Sequence, residues 1–518
     1  MRVQRQEGHA LTPRASSPRL QTSSTLILLA FSLVVAFGLG FIAYQDGWHR
    51  GLLVWAPRIV RDPRAAMAAW QAHAALPVVS VDVRFADYEQ LVTLVDRARR
   101  LGVHVPVEGE EVGVDVSLDT GERVAANMRL AVGPGSWMPQ GAWPFELSIE
   151  GEARWIRLLP IEASRGDVAW QQMGYLQTLR REGFSAASLS LARVRVNGSD
   201  WGLYLLETPA VVAVEVRFGA DDSWEALAHG EVTPAGGFRQ GSVQVSGSDP
   251  TATRAAGLLL HSVLREAVSL SQVCDAEALG RFMALTALWT GAPAPDWRVM
   301  RWAYDGIQDQ LVPVGAGQPW VDVAPLPEAF LADVWVQSAY ARALVEYSDP
   351  AFLRQLQADL GGALDEQWLI LATASDVPQT PWEVVAQHQQ SMRARLSPER
   401  ALAAELDRAG TAYVLRLANL QPFPVEVIGL EAQGGRIQEL DPGWVLPEDQ
   451  GDLVEGADAL VLQGARSAVP ETVSLRLPEN VYGGRVAALG VACRLWGAET
   501  PELWVPLRDA RAPFEAVR

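Results

Sequence analysis

Hydrophobic positions recur along this chain in three rhythms. Thr25 to Tyr44 is an almost unbroken apolar run. About 20 residues at 1.5 Å each span a hydrocarbon layer of about 30 Å, so the run is long enough for a transmembrane helix. From Val78 the pattern changes to strands and helices in succession. Val79, Val81, Val83 and Phe85 alternate as a strand. Asp87-Tyr88-Glu89-Gln90 reads as a capping box opening a helix with Leu91, Leu94, Val95, Ala98 and Leu101 on one face and Gly102 at its end. Strands are expected around 112–118, 124–132, 145–149 and 155–159. Asp167 is placed to cap a second helix that buries Met173, Leu176 and Leu179 and stops at Gly183. The third rhythm begins after Gly410, where Tyr413-Val-Leu-Arg-Leu, Val425-Glu-Val-Ile, Val473-Ser-Leu-Arg-Leu and Trp504-Val-Pro-Leu alternate with period two.

Residues 191–207 hold the clearest local signal. Leu191, Val194 and Val196 lead into Asn197-Gly198, and the chain returns through Leu203 to Leu206 and ends in Glu207. Both central residues of a type I′ turn need positive φ, which glycine adopts freely and asparagine at small cost. This is a β-hairpin. Beyond it, 211–218 is another strand and 219–250, rich in Gly, Ser and Asp, reads as a loop-bearing insertion. Two apolar helices follow over 251–289, the second capped by Asp275. Short strands are expected at 299–304 and 311–314.

The resulting division is a disordered polar tail (1–24), an anchor (25–44), a juxtamembrane segment (45–77), an α/β domain (78–325), its helical extension (326–408) and a β-sandwich (409–518). The fold class is α+β. A cleaved signal peptide has a shorter apolar core and a small-residue cleavage site. The long run behind a polar tail therefore reads as an uncleaved single-pass anchor. Arg2, Arg5, Arg14 and Arg19 precede it and Arg50, Arg58, Arg61 and Arg64 follow, so arginine placement alone is close to a tie. A basic tail before a large body favours an extracytoplasmic body.

Composition narrows the chemistry. All 43 basic residues are arginine, and the chain is lysine-free. Lysine Schiff bases, Walker-A lysines and kinase-type phosphate lysines are thereby excluded. Arginine can clamp a phosphate with two hydrogen bonds but cannot act as a near-neutral base. The net charge of −18 argues against nucleic acid as a partner. Cys274 and Cys493 lie far apart, and the seven histidines form no metal-binding spacing.

In order along the chain, several segments resemble the CotH (spore coat protein H) kinase family, chiefly its membrane-anchored branch. Arg129-Leu130 with Trp143 and Phe145 resembles "RLKGD…DH…KWSFRI"; Leu179-Arg-Arg-Glu-Gly-Phe184 resembles "LxxEGL". Val194-Arg-Val-Asn-Gly…Gly202-Leu-Tyr-Leu-Leu-Glu207 resembles "VxVNG…GxYxxEE". Leu311-Val-Pro-Val-Gly315 resembles "LEPIG", and Ala418-Asn419 to Val427 is similar to the turn into that branch's C-terminal sandwich. The likeness covers roughly 78–320. It implies an atypical protein-kinase-like fold that binds ATP and Mg²⁺ or Mn²⁺ and phosphorylates secreted or surface proteins.

The departures fall on the charged positions. Ala131 and Ala142 stand where that element carries lysines, and Ser136-Trp137 where it has Asp-His. Glu146 replaces the arginine of "FRI". Ala294 and Met300 replace the His and Asn of "H…N", and Gly317 the aspartate after "EPIG". The remaining candidates are Arg129, Glu207 and Arg298 for a nucleotide, Asp296 and Asp322 for catalysis, and Asp322 for a metal. Each has a plainer reading: Glu207 as a strand-end carboxylate paired to arginine, Arg129 in a structural ion pair, Asp296-Trp-Arg298 as a turn. The expectation is therefore a degenerate, pseudokinase-type binding or scaffolding module of the envelope or a surface polymer, with no nucleotide cofactor. An active kinase using arginines with Asp296 or Asp322 is the first alternative. The second is a carbohydrate-binding envelope protein in which Trp289, Trp297, Trp302 and Trp320 line a pocket.

Overall fold

The structure, a computed structural model, describes residues 67, 71–104, 109–117, 123–131, 133–134, 142–149, 155–161, 166–210, 214–218, 243–247, 250–264, 268–291, 300–316, 333–374, 381–396, 401–409, 412–432, 435–454, 457, 459–464, 472–477, 489–498, 500 and 502–509. The chain divides into Met1–Met67 and Ala68–Arg518. The tail, the apolar run 25–44 and most of the juxtamembrane segment lie outside the described residues. Among the described residues no helix is long and apolar enough to cross a membrane.

The second unit opens with β1 (Val78–Val83), α1 (Phe85–Leu101), β2 (Val103–His104), β3 (Val112–Ser117), β4 (Arg123–Leu130), β5 (Gly133–Pro134), β6 (Phe145–Ile149), β7 (Trp155–Pro160), α2 (Gly166–Arg181), β8 (Ser188–Val196) and β9 (Ser199–Thr208). Seven of these strands form a closed barrel in the order β1-β3-β4-β6-β7-β9-β8. Neighbours are antiparallel except at the closure, where β8 runs parallel to β1. Alternation puts Val79, Val81, Val83, Val112, Val114, Val116, Met128, Leu130, Phe145 and Val194 into one buried cluster with Leu91, Leu94 and Val95 of α1. Asn197 (φ 49°) and Gly198 (φ 77°) form the expected turn. The asparagine also does something the turn does not require. Its backbone N–H donates to the Val81 carbonyl (2.9 Å), and its side-chain Oδ1 accepts from the Val83 N–H (2.7 Å). The hairpin tip thus extends the parallel seam that closes the barrel.

The start of α1 corrects the capping-box reading. The helix begins at Phe85, with Arg84 at the N-cap and no side-chain cap, so Asp87 sits inside the first turn. Tyr88 N–H already donates to the Arg84 carbonyl (2.9 Å), and the Tyr88 ring stacks on Trp143 at 5.5 Å. That packing favours the earlier start. Phe85, expected at a strand end, is instead the first helical residue and is exposed.

Next come β10 (Val214–Phe218), β11 (Val243–Gly247), α3 (Pro250–Leu264), α4 (Leu270–Val273), α5 (Ala276–Thr290), β12 (Arg301–Asp305), β13 (Gln310–Val314), α6 (Val334–Ser348), α7 (Pro350–Ala374) and α8 (Pro381–Arg395). The four strands make an antiparallel sheet in the order β11-β10-β12-β13. Helices α2, α5, α6, α7 and α8 share the largest apolar core. Asp275 caps α5 as expected, accepting from Glu277 and Ala278 N–H. Asp333 caps α6 through Oδ1 and takes the Ser271 N–H of α4 on Oδ2 (2.6 Å), so one buried carboxylate orders two helices.

The last strands are β14 (Leu402–Ala409), β15 (Ala412–Asn419), β16 (Val425–Ala432), β17 (Gly435–Glu439), β18 (Val461–Leu462), β19 (Thr472–Leu477), β20 (Leu489–Leu495), β21 (Leu503–Pro506) and β22 (Arg508–Asp509). They form two sheets, β19-β15-β14-β22 and β17-β16-β20-β21, with β18 on β16. Leu415, Leu417 and Leu475 of one and Val425, Val427 and Val491 of the other are buried in the common core. The helical stretch expected through residue 408 ends earlier, because 402–409 is β14. Ala, Leu and Glu there favour helix, but eight cross-strand pairs with β15 override that preference. Cys274 and Cys493 are buried free thiols, and burial pushes the Cys493 thiol up to about 12.

Candidate functional site

Two of the sequence-derived candidates, Arg129 and Glu207, fall on the same row across the barrel wall. The registers pair Arg129 with Glu146, Glu146 with Arg157, and Arg157 with Glu207. Cross-strand partners share a face, so β4, β6, β7 and β9 present Arg, Glu, Arg, Glu side by side. This face is opposite to the one carrying Met128, Phe145, Leu158 and Leu206.

The contacts follow the register. Arg129 donates to Glu146 Oε2 through Nε (2.9 Å) and a terminal nitrogen (2.8 Å). Arg157 Nε donates to Glu146 Oε1 (3.1 Å), and its Nη1 lies 3.5 Å from Glu207 Oε2. Glu111 joins at the Arg129 end, 3.8 Å away. The two arginines are the more exposed members of the row and the two glutamates the more buried. The Arg129 side chain is 29% exposed and Arg157 16%, against 6% for Glu146 and 3% for Glu207. Arginine suits this row because its fork reaches two carboxylates from one fixed plane.

Burial and charge act against each other on Glu146. Desolvation alone would raise its carboxyl; Arg157 and Arg129, through charge and hydrogen bonds, more than offset this and hold it below the ordinary 4.5. Arg157 is likewise opposed by burial, and Glu207 and Glu146 outweigh it, raising the guanidinium further. Glu146 and Arg157 are thus each held in the charged form by the other. Chemically the row is a chain of mutually neutralised charges that ties four strands together.

Asp296, Arg298 and Asp322 lie outside the described residues, as do Ser136, Trp137, Ala294, Gly317, Trp297 and Trp320. Ala131, Ala142 and Met300, at positions charged or polar in the resembling family, are buried apolar residues. Among the described residues no group of three or more His, Cys, Asp or Glu side chains could hold a metal ion. The pocket expected from Trp289 and Trp302 is not formed by them. Both are fully buried, because each sits on the inward face of an element of the main core. Trp289 packs on Trp170 (5.6 Å) and Trp382 (5.9 Å) and donates from Nε1 to Thr178 Oγ1 (3.0 Å).

Arg157 was the residue that sequence reading missed. Its signal was available: it is the polar position between Ile156 and Leu158, and the 129–146 pairing places it opposite Glu146. No family model matches the sequence, and no curated protein matches it either.

Proposed function

We propose that this chain is a membrane-anchored, extracytoplasmic protein with a CotH-like, kinase-related domain that serves as a binding or scaffolding module in envelope or surface-polymer assembly, without phosphoryl transfer. The observation that carries the reading is the Arg129–Glu146–Arg157–Glu207 row. Glu146 stands where the resembling element has arginine, and that reversed charge engages both Arg129 and Arg157. The two polar candidates retained from the motif are therefore drawn into an ion-paired wall. Phosphoryl transfer needs cations committed to the phosphates and carboxylates committed to a metal.

Two of the resembling segments also meet in the fold. The Leu179 and Leu311–Gly315 segments are remote in sequence yet touch at Gly315, where a Cβ would lie 2.5 Å from Leu179 Cδ1 and 2.8 Å from Ala186 Cβ. Gly315 also pairs with Ala186 in a parallel bridge, with Ala187 N–H donating to its carbonyl (2.8 Å). A glycine ending that motif is thus required by close approach. The test is a calorimetric titration of the full-length detergent-solubilised protein with ATP and Mg²⁺ or Mn²⁺. The expected result is no heat of binding; micromolar affinity would overturn the proposal in favour of an active atypical kinase.

A further inference from the structure

The outer face of the β17-β16-β20-β21 sheet carries an exposed tryptophan seated in a prepared place. Trp504 on β21 lies directly opposite Ala492 on β20, and Gly490 is one pleat away. A Cβ at Gly490 would lie 2.2, 2.3 and 2.6 Å from Cε2, Nε1 and Cζ2 of the indole, so only glycine lets the ring come down onto the sheet. Ala492 shares this face yet is 1% exposed, whereas Trp504 is 48% exposed. The ring therefore covers small residues beneath it and turns its other side to solvent.

The next row along the same face is polar and held in plane. Arg494 donates to Glu426 through Nε (2.7 Å) and Nη2 (3.0 Å), a two-point pairing that fixes the guanidinium. Glu502 acts electrostatically on Arg494 from the β21 side. An open aromatic surface beside a fixed guanidinium and carboxylates matches a pyranose ring. Its C–H face packs on an indole, and its hydroxyls both donate and accept at the rim. Two carboxylates flank the one arginine, which disfavours an anionic polymer. Equatorial substituents leave both ring faces apolar.

We infer that Trp504, with Arg494, Glu426 and Glu502, forms a binding platform for a neutral β-linked polysaccharide. The residues differ from those of the barrel row, so this inference stands or falls separately from the nucleotide question. It also differs from the tryptophan pocket expected over 289–320, whose described members are core.

The experiment is affinity measurement by titration calorimetry with cellohexaose and chitohexaose, with an α-linked dextran oligosaccharide as control, on the full-length solubilised protein. The wild type is expected to bind a β-linked hexaose and not the control. Trp504→Leu keeps an apolar cover over Gly490 but removes the aromatic face, and should weaken binding about tenfold or more. Trp504→Tyr should retain part of it, and Trp335→Ala, at a half-exposed tryptophan packed on Trp496, should leave it unchanged. Circular dichroism of each variant separates loss of the platform from loss of fold. Absence of binding to either hexaose, or binding that a folded Trp504→Leu variant retains, would overturn the inference.

Discussion

The charged row on the barrel and the tryptophan cluster among the helices draw on residue types that mark functional sites, and opposite forces hold them. In the row, four ionisable side chains lie in a single register line, and each charge is met by its neighbour. In the cluster, Trp170, Trp289, Trp368 and Trp382 meet within 5.2 to 6.4 Å. There the few polar atoms are satisfied at the ring tips: Trp170 Nε1 by the Leu364 carbonyl (2.9 Å), Trp382 Nε1 by Asp365 (3.0 Å). Residue type alone identifies neither. Register decides the first and burial the second. A buried ion pair contributes little net stability over an apolar pair of the same shape, but removing one partner is costly. A close-packed aromatic cluster is costly to alter in either direction of volume.

The largest effect is expected at Arg157. Arg157→Ala would leave Glu146 and Glu207 buried without their shared cation, and is expected to cost about 3–5 kcal/mol in denaturant unfolding. An effect of a few tenths would show these carboxylates to be solvated. In the cluster, Gly174→Ala puts a methyl group 2.1 Å from Trp289 Cη2, so the indole must shift. A loss of about 1–3 kcal/mol is expected, read as a lower thermal midpoint, with near-ultraviolet circular dichroism changed because the tryptophans repack. An unchanged near-ultraviolet spectrum would show the cluster to be loosely packed.

Smaller effects are expected at the barrel seam and on acidification. Asn197→Ala removes the acceptor of the Val83 N–H at the barrel seam, with an expected cost of about 1–2 kcal/mol. Faster amide exchange at Val83 is the accompanying readout. The row should also respond to acid in a way the cluster does not. Glu146 has a folded pKa below its ordinary 4.5, so its contribution is fully present above that value and is lost as pH falls through the lower folded one. The stability advantage of the wild type over Glu146→Gln should therefore shrink as pH drops below about 4.5. The difference caused by Gly174→Ala should stay flat over the same range.

Much of the fold was legible because period-two alternation survives in β1, β3 and β4, and because Asp275, Gly102 and Asn197-Gly198 carry strong local chemistry. Other parts were not: α2 begins at Gly166, so Asp167, expected as its cap, lies inside the helix, and β11 (Val243–Gly247) falls in the stretch expected as a loop. The α1 start is set by Tyr88 packing on Trp143, a contact 55 residues away in sequence that no capping pattern reports. The helix-to-strand change at Leu402 depends on pairing with β15, which composition rich in helix formers conceals. The site was half legible. Arg129 and Glu207 stood out by resemblance, but joining them needed the register through Glu146 and Arg157. Trp289 and Trp302 misled because a tryptophan in the core and one in a pocket read alike in one dimension.

The row acts as one coupled structural unit. The most direct test is a double-mutant cycle between Glu146 and Arg157 by denaturant unfolding at neutral pH, using Glu146→Gln, Arg157→Met and the double variant. The prediction is a coupling energy of about 1–3 kcal/mol, with the double variant more stable than Arg157→Met alone. A coupling near zero, with each single change costing little, would contradict it and return Arg129 and Glu207 to the pool of residues free to meet a ligand.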